Sequence, residues 1–340
     1  MPGLIGEVGA EPTFSIVVPT FRRPDALGET LAAILRLDYR NDRYEVIVVD
    51  DGADDETARV VKRLRGGGVE LMLEAQPHRG AARARNRGAR LATGEMLLFC
   101  DDDMILDPPY LRLQLSARER HGDAVISGTW RFSPTAIEAL ERSPFGRYRI
   151  ALERGFREHT GGRPLDGDPC RLVMPLLGSG NLAVRRDRFW EIGGFDEDFP
   201  VAGAEDQDFS MRARAAGALL LLDTNIHCFH NDNRLTLREY CAREERSAQT
   251  MPYLARKYPT ELSQTAYVRE NCPIRAGDPP LLVMKKLIKA VLAGKAVLEL
   301  LHRFVDLAEA AHGPERLLRR LYRTLLGIHL FRGFRQSWRA

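Results

Sequence analysis

The amino-terminal part of the chain alternates short apolar runs with helical patterns. The segments 14–18 and 46–49 are short apolar runs rich in β-branched residues, and the apolar residues of 24–37 between them recur at helical spacing. The alternation continues with a helix near 54–64, a strand near 70–73, a helix near 81–91 and a strand at 96–100. Strands without polar alternation are typical of parallel sheets that are covered on both faces. The pattern therefore predicts an α/β domain with a mostly parallel central sheet.

The next part of the chain has a less regular pattern. The stretch 133–171 mixes glycine, proline and charges of both signs, which predicts an excursion or a flexible loop at the functional site. The pattern returns near 175 and predicts a strand at 182–184, helices at 186–192 and 205–216, and a strand at 219–222. We therefore expect the domain to continue into a second, irregular half.

Length and composition narrow the class of protein. The 340 residues, of which 44% are apolar, are enough for one large domain with an appendage or for two modest domains. The five cysteines are widely spread and form no CxxC pair, which predicts reduced thiols in a cytosolic protein. The first residues lack the pattern of a signal peptide, and no stretch approaches the roughly 20 apolar residues that span a bilayer. We expect a cytoplasmic location.

Positive charge is concentrated near the carboxyl terminus. The net charge is +3, but residues 281–340 contain 12 Lys and Arg against 4 Asp and Glu. Apolar residues recur there at helical spacing, and 317–338 combines leucine and aromatic residues with arginine. Such a segment suits the anionic inner face of a membrane. The alternative is a set of helices that pack on the preceding domain. Nucleic acid is disfavoured as a partner because no recognised binding motif accompanies the charge.

The residues that directly follow three strands of the predicted sheet lie where an open parallel sheet has its ligand crevice, and two of these strand ends carry carboxylates. Closely spaced carboxylates repel each other, and a divalent cation such as Mg²⁺ or Mn²⁺ would remove that conflict. Taken singly, each acidic run is also compatible with a helix cap or a solvated turn. The residues at the strand ends are Pro19, Thr20, Phe21 and Arg22, then Asp50 and Asp51, then Asp101, Asp102 and Asp103.

Five motifs in this order resemble the inverting glycosyltransferases of family 2, which have the GT-A fold. They lie at 15–21, 48–52, 80–88, 99–103 and 203–208, so the resemblance covers roughly 14–258. It implies a single nucleotide-sugar-binding, Rossmann-like domain at 14–260, with a donor half at about 14–130 and an acceptor half at about 131–260. A tail at 1–13 would precede this domain, and a helical, basic extension at 261–340 would follow it.

The resemblance also implies roles on the donor side. Pro19, Thr20, Phe21, Arg22, Asp50 and Asp51 would hold the base and ribose of a nucleotide-diphosphate sugar, most often a UDP-sugar. Arg85 and Asn86 would lie beside the donor, although Arg85 is also compatible with a surface position on a basic helix. Asp101 and Asp102 would face the ribose and sugar. Asp103, with Asp101 and His230, would hold Mn²⁺ or Mg²⁺, and His227 competes with His230 for this role.

On the acceptor side, Glu205 and Asp206 match the acidic pair that supplies the general base in this family. Asp206 would deprotonate the acceptor hydroxyl as it attacks the sugar. The alternative is that both acids oppose the dipole of a helix amino terminus. Gly180 and Asn181 match a segment where small residues let the acceptor approach the backbone, although a simple turn is compatible with the same residues.

The implied function is inverting transfer of a sugar to a saccharide, a lipid-linked saccharide or another hydroxyl acceptor. The chain lacks the Gln-x-x-Arg-Trp motif of processive synthases, which favours the transfer of one or a few sugars. A sugar nucleotidyltransferase should carry a glycine-rich basic loop after the first strand, and a dinucleotide-dependent oxidoreductase should carry GxGxxG there. Neither motif follows 14–18. A non-catalytic scaffold that binds sugar nucleotides at a membrane stays open as an alternative.

Overall fold

The computed structural model of the chain describes residues 13–158, 161–199, 201–232 and 236–338, apart from the side chains of 156 and 157. Ten strands within these residues form one mixed sheet. They are β1 (Phe14–Thr20), β2 (Tyr44–Asp50), β3 (Glu70–Ala75), β4 (Met96–Cys100), β5 (Met104–Leu106), β6 (Val125–Phe132), β7 (Arg163–Leu165), β8 (Asp168–Val173), β9 (Asn181–Arg185) and β10 (Leu220–His230).

The order of the strands across the sheet is β3-β2-β1-β4-β9-β6-β10-β8-β7, and β5 pairs with β10. The first four strands in this order run parallel, as does the pair of β6 and β10. Strand β9 runs antiparallel between β4 and β6. The predicted mostly parallel sheet is therefore confirmed, and β9 is the strand that joins its two parallel parts.

Helices cover the sheet and form the carboxyl-terminal part of the described chain. They are α1 (Pro24–Ile34), α2 (Asp55–Leu64), α3 (Ala81–Leu91), α4 (Tyr110–His121), α5 (Pro134–Glu141), α6 (Pro144–Glu158), α7 (Arg186–Glu191), α8 (Glu205–Ala215), α9 (Leu237–Ser247), α10 (Met251–Lys257), α11 (Pro259–Leu262), α12 (Ala266–Asn271), α13 (Pro280–Leu292), α14 (Lys295–Ala310) and α15 (Glu315–Trp338).

Apolar side chains on both faces of the sheet explain why its strands lack polar alternation. In β1, Ile16 and Val18 pack into a cluster on one face, while Val17 packs into a cluster on the other. Helix α3 lies directly against the second face, because a Cβ at Gly88 would come within 2.3 Å of Cγ1 of Val17. Glycine at this helical position therefore sets the close approach of α3 to the sheet.

Two stretches differ from the predicted pattern. The residues after β4 form β5, α4 and β6, which were not predicted, since α4 buries few apolar residues and the middle of β6 reads Ser127-Gly128-Thr129. The described residues of the stretch 133–171 contain α5, α6, β7 and the start of β8, so they form an excursion with regular secondary structure. The hydroxyl of Ser133 accepts a 3.0 Å hydrogen bond from the backbone nitrogen of Ala136, which caps α5.

The carboxyl-terminal helices pack on each other and on part of the excursion. One cluster joins Phe145 and Tyr148 of α6 with Leu237 and Cys241 of α9 and with buried residues of α14 and α15. Helix α9 begins this helical part, so the packed helices include residues that precede 261. Among the described helices, none combines the length and the apolar character needed to cross a bilayer.

Candidate active site

The carboxyl ends of three neighbouring strands bring the predicted donor residues to one edge of the sheet. Strand β1 pairs with β2 up to Thr20 and Asp50, and its other edge pairs with β4. The backbone nitrogen of Asp51 donates to the carbonyl of Thr20 (2.9 Å), and the hydroxyl of Thr20 donates to Oδ2 of Asp102 (2.7 Å). The loops after β1, β2 and β4 therefore form one connected site.

Each aspartate of the run after β4 has different partners. Asp101 accepts a hydrogen bond from Arg85 (2.7 Å). Arg23 binds the other two carboxylates at once, with Nη1 donating to Asp102 (2.6 Å) and Nη2 donating to Asp103 (2.8 Å). Asp102 and Asp103 are buried, whereas the side chain of Asp101 is more exposed. A solvated acidic turn does not describe this arrangement.

Arg85 connects the aspartate run to the start of α8. Its Nη2 atom contacts Asp101, and its Nη1 atom donates to Oε1 of Glu205 (2.9 Å). The residue is buried, so the alternative of a surface arginine does not hold. Burial opposes the charge on Arg85, but the facing carboxylates of Asp101 and Glu205 outweigh it and raise the pKa of the guanidinium above its ordinary value.

The two acids at the start of α8 differ in how they are held. Glu205 is fixed by Arg85 and by the backbone nitrogen of Gly203, which donates to Oε2 (2.6 Å). Asp206 accepts a hydrogen bond from the backbone nitrogen of Gln207 (2.7 Å). Burial, followed by the like charge of Glu205, raises the pKa of Asp206 to about 7. Asp206 is therefore a carboxyl group that exchanges its proton near neutral pH.

His230 is the histidine that reaches the aspartate run. Strand β10 pairs with β5 so that His230 lies opposite Met104, and Nε2 of His230 is 3.3 Å from Oδ2 of Asp103. His227 lies 3.7 Å from Asp107 and is more exposed. Burial alone would raise the pKa of Asp103, but His230 and then Arg23 hold it well below its usual range.

The carboxylates of the site outnumber its arginines, and this excess of negative charge would favour the binding of a divalent cation. Burial, together with the neighbouring aspartates, raises the pKa of Asp102 to about 7 although Arg23 opposes this.

Among the described residues, no three His, Cys, Asp or Glu side chains form a group that could hold a metal ion. Of the predicted ligands Asp101, Asp103 and His230, Asp101 is bound by Arg85, whereas Asp103 and His230 lie together. An ion would fit on this pair, with its other ligands supplied by substrate phosphates and water. The buried Nδ1 atom of His230 has no hydrogen-bond partner in the described part of the chain. The carboxylates that outnumber the two arginines here are Asp101, Asp102, Asp103, Glu205 and Asp206.

The carboxylates after β2 shape the neighbouring loops. Asp51 accepts hydrogen bonds from Nε2 of Gln76 (2.8 Å) and from the backbone nitrogens of Arg79 (2.7 Å) and Gly80 (2.8 Å). Asp50 accepts from the backbone nitrogens of Gly52 (3.1 Å) and Asp54 (2.7 Å). Both side chains thus hold the turns that border the site.

An aromatic pair lies at the surface of the same loops. The rings of Phe21 and His78 stack with their centroids 4.1 Å apart and an interplanar angle of 22°. His78 Nδ1 lies 2.8 Å from Oδ2 of Asp51, and the guanidinium of Arg22 lies 5.2 Å from the centroid of Phe21. Pro19 is partly exposed beside them. These residues form an exposed aromatic face at the edge of the site.

Two of the predicted residues use their side chains within the protein. Asn86 donates to the carbonyl of Phe195 (2.8 Å) and accepts from its backbone nitrogen (2.9 Å), which fixes α3 to the turn before residue 197. Asn181 accepts from the hydroxyl of Ser127 (2.7 Å) inside the sheet. Gly180 does lie at the site, since a Cβ there would stand 2.9 Å from Oδ2 of Asp101.

Arg23 and His78 are site residues that the sequence pattern did not single out. Arg23 directly follows the segment 19–22 and precedes Pro24, which begins α1. His78 lies in the short connection between β3 and α3. Strand-end position was the signal for both, because each lies within four residues of a parallel strand at the ligand edge of the sheet.

Comparisons with known proteins agree with this architecture. Residues 15–193, slightly more than half of the chain, match the family model described as Glycosyl transferase family 2. Validoxylamine A glucosyltransferase of Streptomyces hygroscopicus subsp. limoneus is 31% identical over 241 residues, which cover 64% of this chain and 50% of the relative. Glucosyl-dolichyl phosphate glucuronosyltransferase of Haloferax volcanii is 29% identical over 187 residues, which cover 54% and 55% of the two chains. The chain thus spans about half the length of these relatives.

Two solved structures share the fold. The mannosyltransferase PcManGT from Pyrobaculum calidifontis, in complex with GDP-Man and Mn2+, has a TM-score of 0.61 at 21% identity, and the match covers 95% of this chain and 88% of that one. TarS of S. aureus has a TM-score of 0.51 at 17% identity, and the match covers 96% and 55% of the two chains. At these identities the likeness concerns the fold, which is of the GT-A type.

Proposed function

This chain belongs to glycosyl transferase family 2, and we propose that it transfers a sugar from a nucleotide-diphosphate sugar to a hydroxyl group, with inversion at the anomeric carbon. One observation carries the proposal. Arg85 joins Asp101, which follows β4, to Glu205, which begins α8. Asp206 follows Glu205 directly, so this link supports a single site with a proposed donor side at the aspartate run and a proposed base side at Asp206.

The donor side of the proposal rests on the loops after β1, β2 and β4. The exposed rings of Phe21 and His78 offer a stacking surface for a nucleobase. Asp101 and Asp102 would face the sugar and the ribose. The proposed donor is a UDP-sugar, by resemblance to the family. The mannosyltransferase of the same fold is complexed with GDP-Man, so the nucleotide base is a variable that the experiment must include.

The proposed metal site consists of Asp103 and His230. A bound Mn²⁺ or Mg²⁺ would neutralise charge that develops on the departing diphosphate. The presence of Mn2+ in the complex of the mannosyltransferase supports this choice of ions. Arg23 binds Asp102 and Asp103 and adds a second positive charge at the point where the diphosphate would lie.

Asp206 is the proposed general base. Its carboxylate would accept the proton of the acceptor hydroxyl while the hydroxyl oxygen forms a bond to the anomeric carbon and the bond to the phosphate oxygen breaks. Glu205 and Asp208 are less suited to this role, since Glu205 is bound by Arg85 and Asp208 is bound by Arg212 and Lys257. A pKa of about 7 matches a base that works at neutral pH.

The acceptor side of the proposal is the segment that contains Gly178 and Gly180. A Cβ at Gly178 would stand 3.7 Å from Oδ2 of Asp206, so little bulk separates this segment from the proposed base. The proposed acceptor is a saccharide or a lipid-linked saccharide that receives one or a few sugars. The enzyme would work in the cytoplasm or at the inner face of the membrane.

The test is donor turnover. The full chain is incubated with UDP-, GDP- and dTDP-sugars and an acceptor panel, with and without Mn²⁺, and nucleoside diphosphate release is measured. We expect release that requires Mn²⁺ and an acceptor. Nucleotide binding without release on any donor and acceptor would overturn the proposal in favour of a non-catalytic scaffold. Release of pyrophosphate on incubation with a nucleoside triphosphate and a sugar phosphate would favour a nucleotidyltransferase.

A further inference from the structure

Helix α13 exposes a row of apolar side chains to solvent and buries a lysine. Its apolar residues Leu281, Met284, Ile288 and Val291 are exposed, by 72% for Leu281 and 68% for Val291, and their spacing puts them on one face of the helix. Its residue Lys286 is buried and donates to Asp278 (2.6 Å) and to the carbonyl of Pro273 (3.1 Å). A helix that buries a lysine and exposes its aliphatic side chains to water is unusual in a soluble fold.

Helix α14 continues the same feature. It follows α13 after Ala293 and Gly294, and it exposes Leu300, Phe304 and Leu307 at helical spacing. Its opposite face is buried through Leu298, His302 and Val305. The exposed rows are therefore not the surfaces by which these helices pack on the protein. We call them the outer apolar face, which consists of Leu281, Met284, Ile288 and Val291 of α13 with Leu300, Phe304 and Leu307 of α14.

The segment that carries this face is basic as a whole, although the lysines of α13 itself pair with Glu270 and Asp278. Residues 281–340 contain 12 Lys and Arg against 4 Asp and Glu. Two copies of the chain that met through this face would bring two segments of net positive charge together, which disfavours self-association. An anionic lipid surface offers both hydrocarbon for the apolar side chains and negative charge for the basic ones.

We propose that the outer apolar face lies on an anionic membrane surface and inserts its side chains among the lipids. This goes beyond sugar transfer, because the face is formed by α13 and α14 and includes none of the residues assigned to the donor, the metal or the base. The proposal of membrane binding and the proposal of sugar transfer can therefore be tested independently of each other.

The experiment is co-sedimentation of the full chain with vesicles. One set contains phosphatidylcholine alone, and the other contains equal parts of phosphatidylcholine and phosphatidylglycerol. We expect binding to the anionic vesicles, at least tenfold weaker binding to the neutral ones, and release as salt rises. The variant with Leu281→Ser, Ile288→Ser and Val291→Ser should lose at least tenfold in binding. These side chains are exposed, so the variant should fold, which circular dichroism checks.

Leu176→Ser is the matched control, because Leu176 is an exposed leucine outside the outer apolar face. It should bind the vesicles like the unchanged chain. The proposal is overturned if the unchanged chain stays in solution with anionic vesicles, or if the triple variant binds them as tightly. A dimer in analytical ultracentrifugation that the triple variant loses, with vesicle binding unchanged, would instead identify the face as a contact between copies.

Discussion

Nε2 of His230 lies 3.3 Å from Oδ2 of Asp103, so the end of β10 meets the loop that follows β4. The backbone supports the same contact, because the nitrogen of Asn231 donates to the carbonyl of Asp103 (2.8 Å). Two segments that are far apart in the chain thus supply a carboxylate and an imidazole at one point. As a carboxylate and an imidazole, this pair would suit Mn²⁺ in the proposed metal site.

Asp103→Asn should abolish metal-dependent binding of the donor. The substitution keeps the shape of the side chain and removes the negative charge that would bind the ion. Isothermal titration of UDP, with and without Mn²⁺, measures the effect, and the stimulation by Mn²⁺ should fall at least tenfold. Asp42→Asn, at an exposed aspartate, is the control. A variant at position 103 that keeps the full stimulation by Mn²⁺ would contradict the assignment.

The two histidines of β10 allow a matched comparison. His230→Ala should weaken Mn²⁺-dependent binding by about tenfold or more, a loss typical of changes around metal sites. His227→Ala should leave it unchanged, because His227 contacts Asp107 and not the aspartate run. Manganese titration followed by electron paramagnetic resonance separates the two variants. Equal losses in both would show that the effect comes from β10 as a whole and not from His230.

Asp206→Asn should keep donor binding and lose transfer. Removing a general base costs typically 10²–10⁴-fold in rate, and the donor residues of β1, β2 and β4 are untouched by the change. Nucleoside diphosphate release in the presence of acceptor measures transfer, and titration of UDP measures binding. Near-normal transfer by this variant would rule out Asp206 as the base. Joint loss of binding and transfer would indicate that Asp206 helps to hold the donor.

Arg23→Ala should strengthen the binding of Mn²⁺ in the absence of donor. The guanidinium neutralises Asp102 and Asp103, so it competes with an ion for the same carboxylates. We expect a severalfold tighter dissociation constant for Mn²⁺ alone. Arg22→Ala is the control, since Arg22 lies over Phe21 and away from the aspartates. Weaker binding in Arg23→Ala would show that the guanidinium positions the carboxylates for the ion.

The parts of the fold that the sequence predicted are those with continuous apolar runs. Strand β4 and helix α3 have the predicted bounds, and β1 and β2 extend the predicted strands by a few residues. Strand β6 and helix α4 were missed, because polar or small residues at the middle of β6 and mixed charges on α4 hide their buried positions. Apolar periodicity therefore identified the centre of the sheet but not its second parallel part.

The sequence predicted the site residues that directly follow the strands. It did not predict the contacts that long side chains make across the site. Asp101, Asp102 and Asp103 follow β4 directly, and their position alone set them at the crevice. Arg23 and Arg85 reach the aspartates only through extended side chains, and a sequence does not fix a rotamer. The choice of His230 over His227 likewise depends on the pairing of β10 with β5.

The pH dependence of stability should carry the signature of Asp206. Its pKa is raised from an ordinary value of 3.8 to about 7, so the folded state favours the protonated form. The contribution of Asp206 to stability is complete below about pH 4 and is lost as pH rises through about 7. Since the side chain is partly exposed, we expect a loss on the order of 1 kcal/mol. Denaturant unfolding between pH 4 and pH 8 measures it.

The rate of transfer should show the opposite trend over the same range, because only the ionised form of Asp206 accepts a proton. We expect kcat/KM to rise with pH through an apparent pKa near 7. The pKa of Asp102 is also raised to about 7. The free energy of unfolding is therefore compared between the unchanged chain and Asp206→Asn, which isolates the contribution of Asp206. The difference in free energy of unfolding between these two chains should change with pH from 4 to 8. A constant difference would mean that the carboxyl group of Asp206 is already ionised at low pH. A raised pKa would then no longer support Asp206 as a base that works at neutral pH.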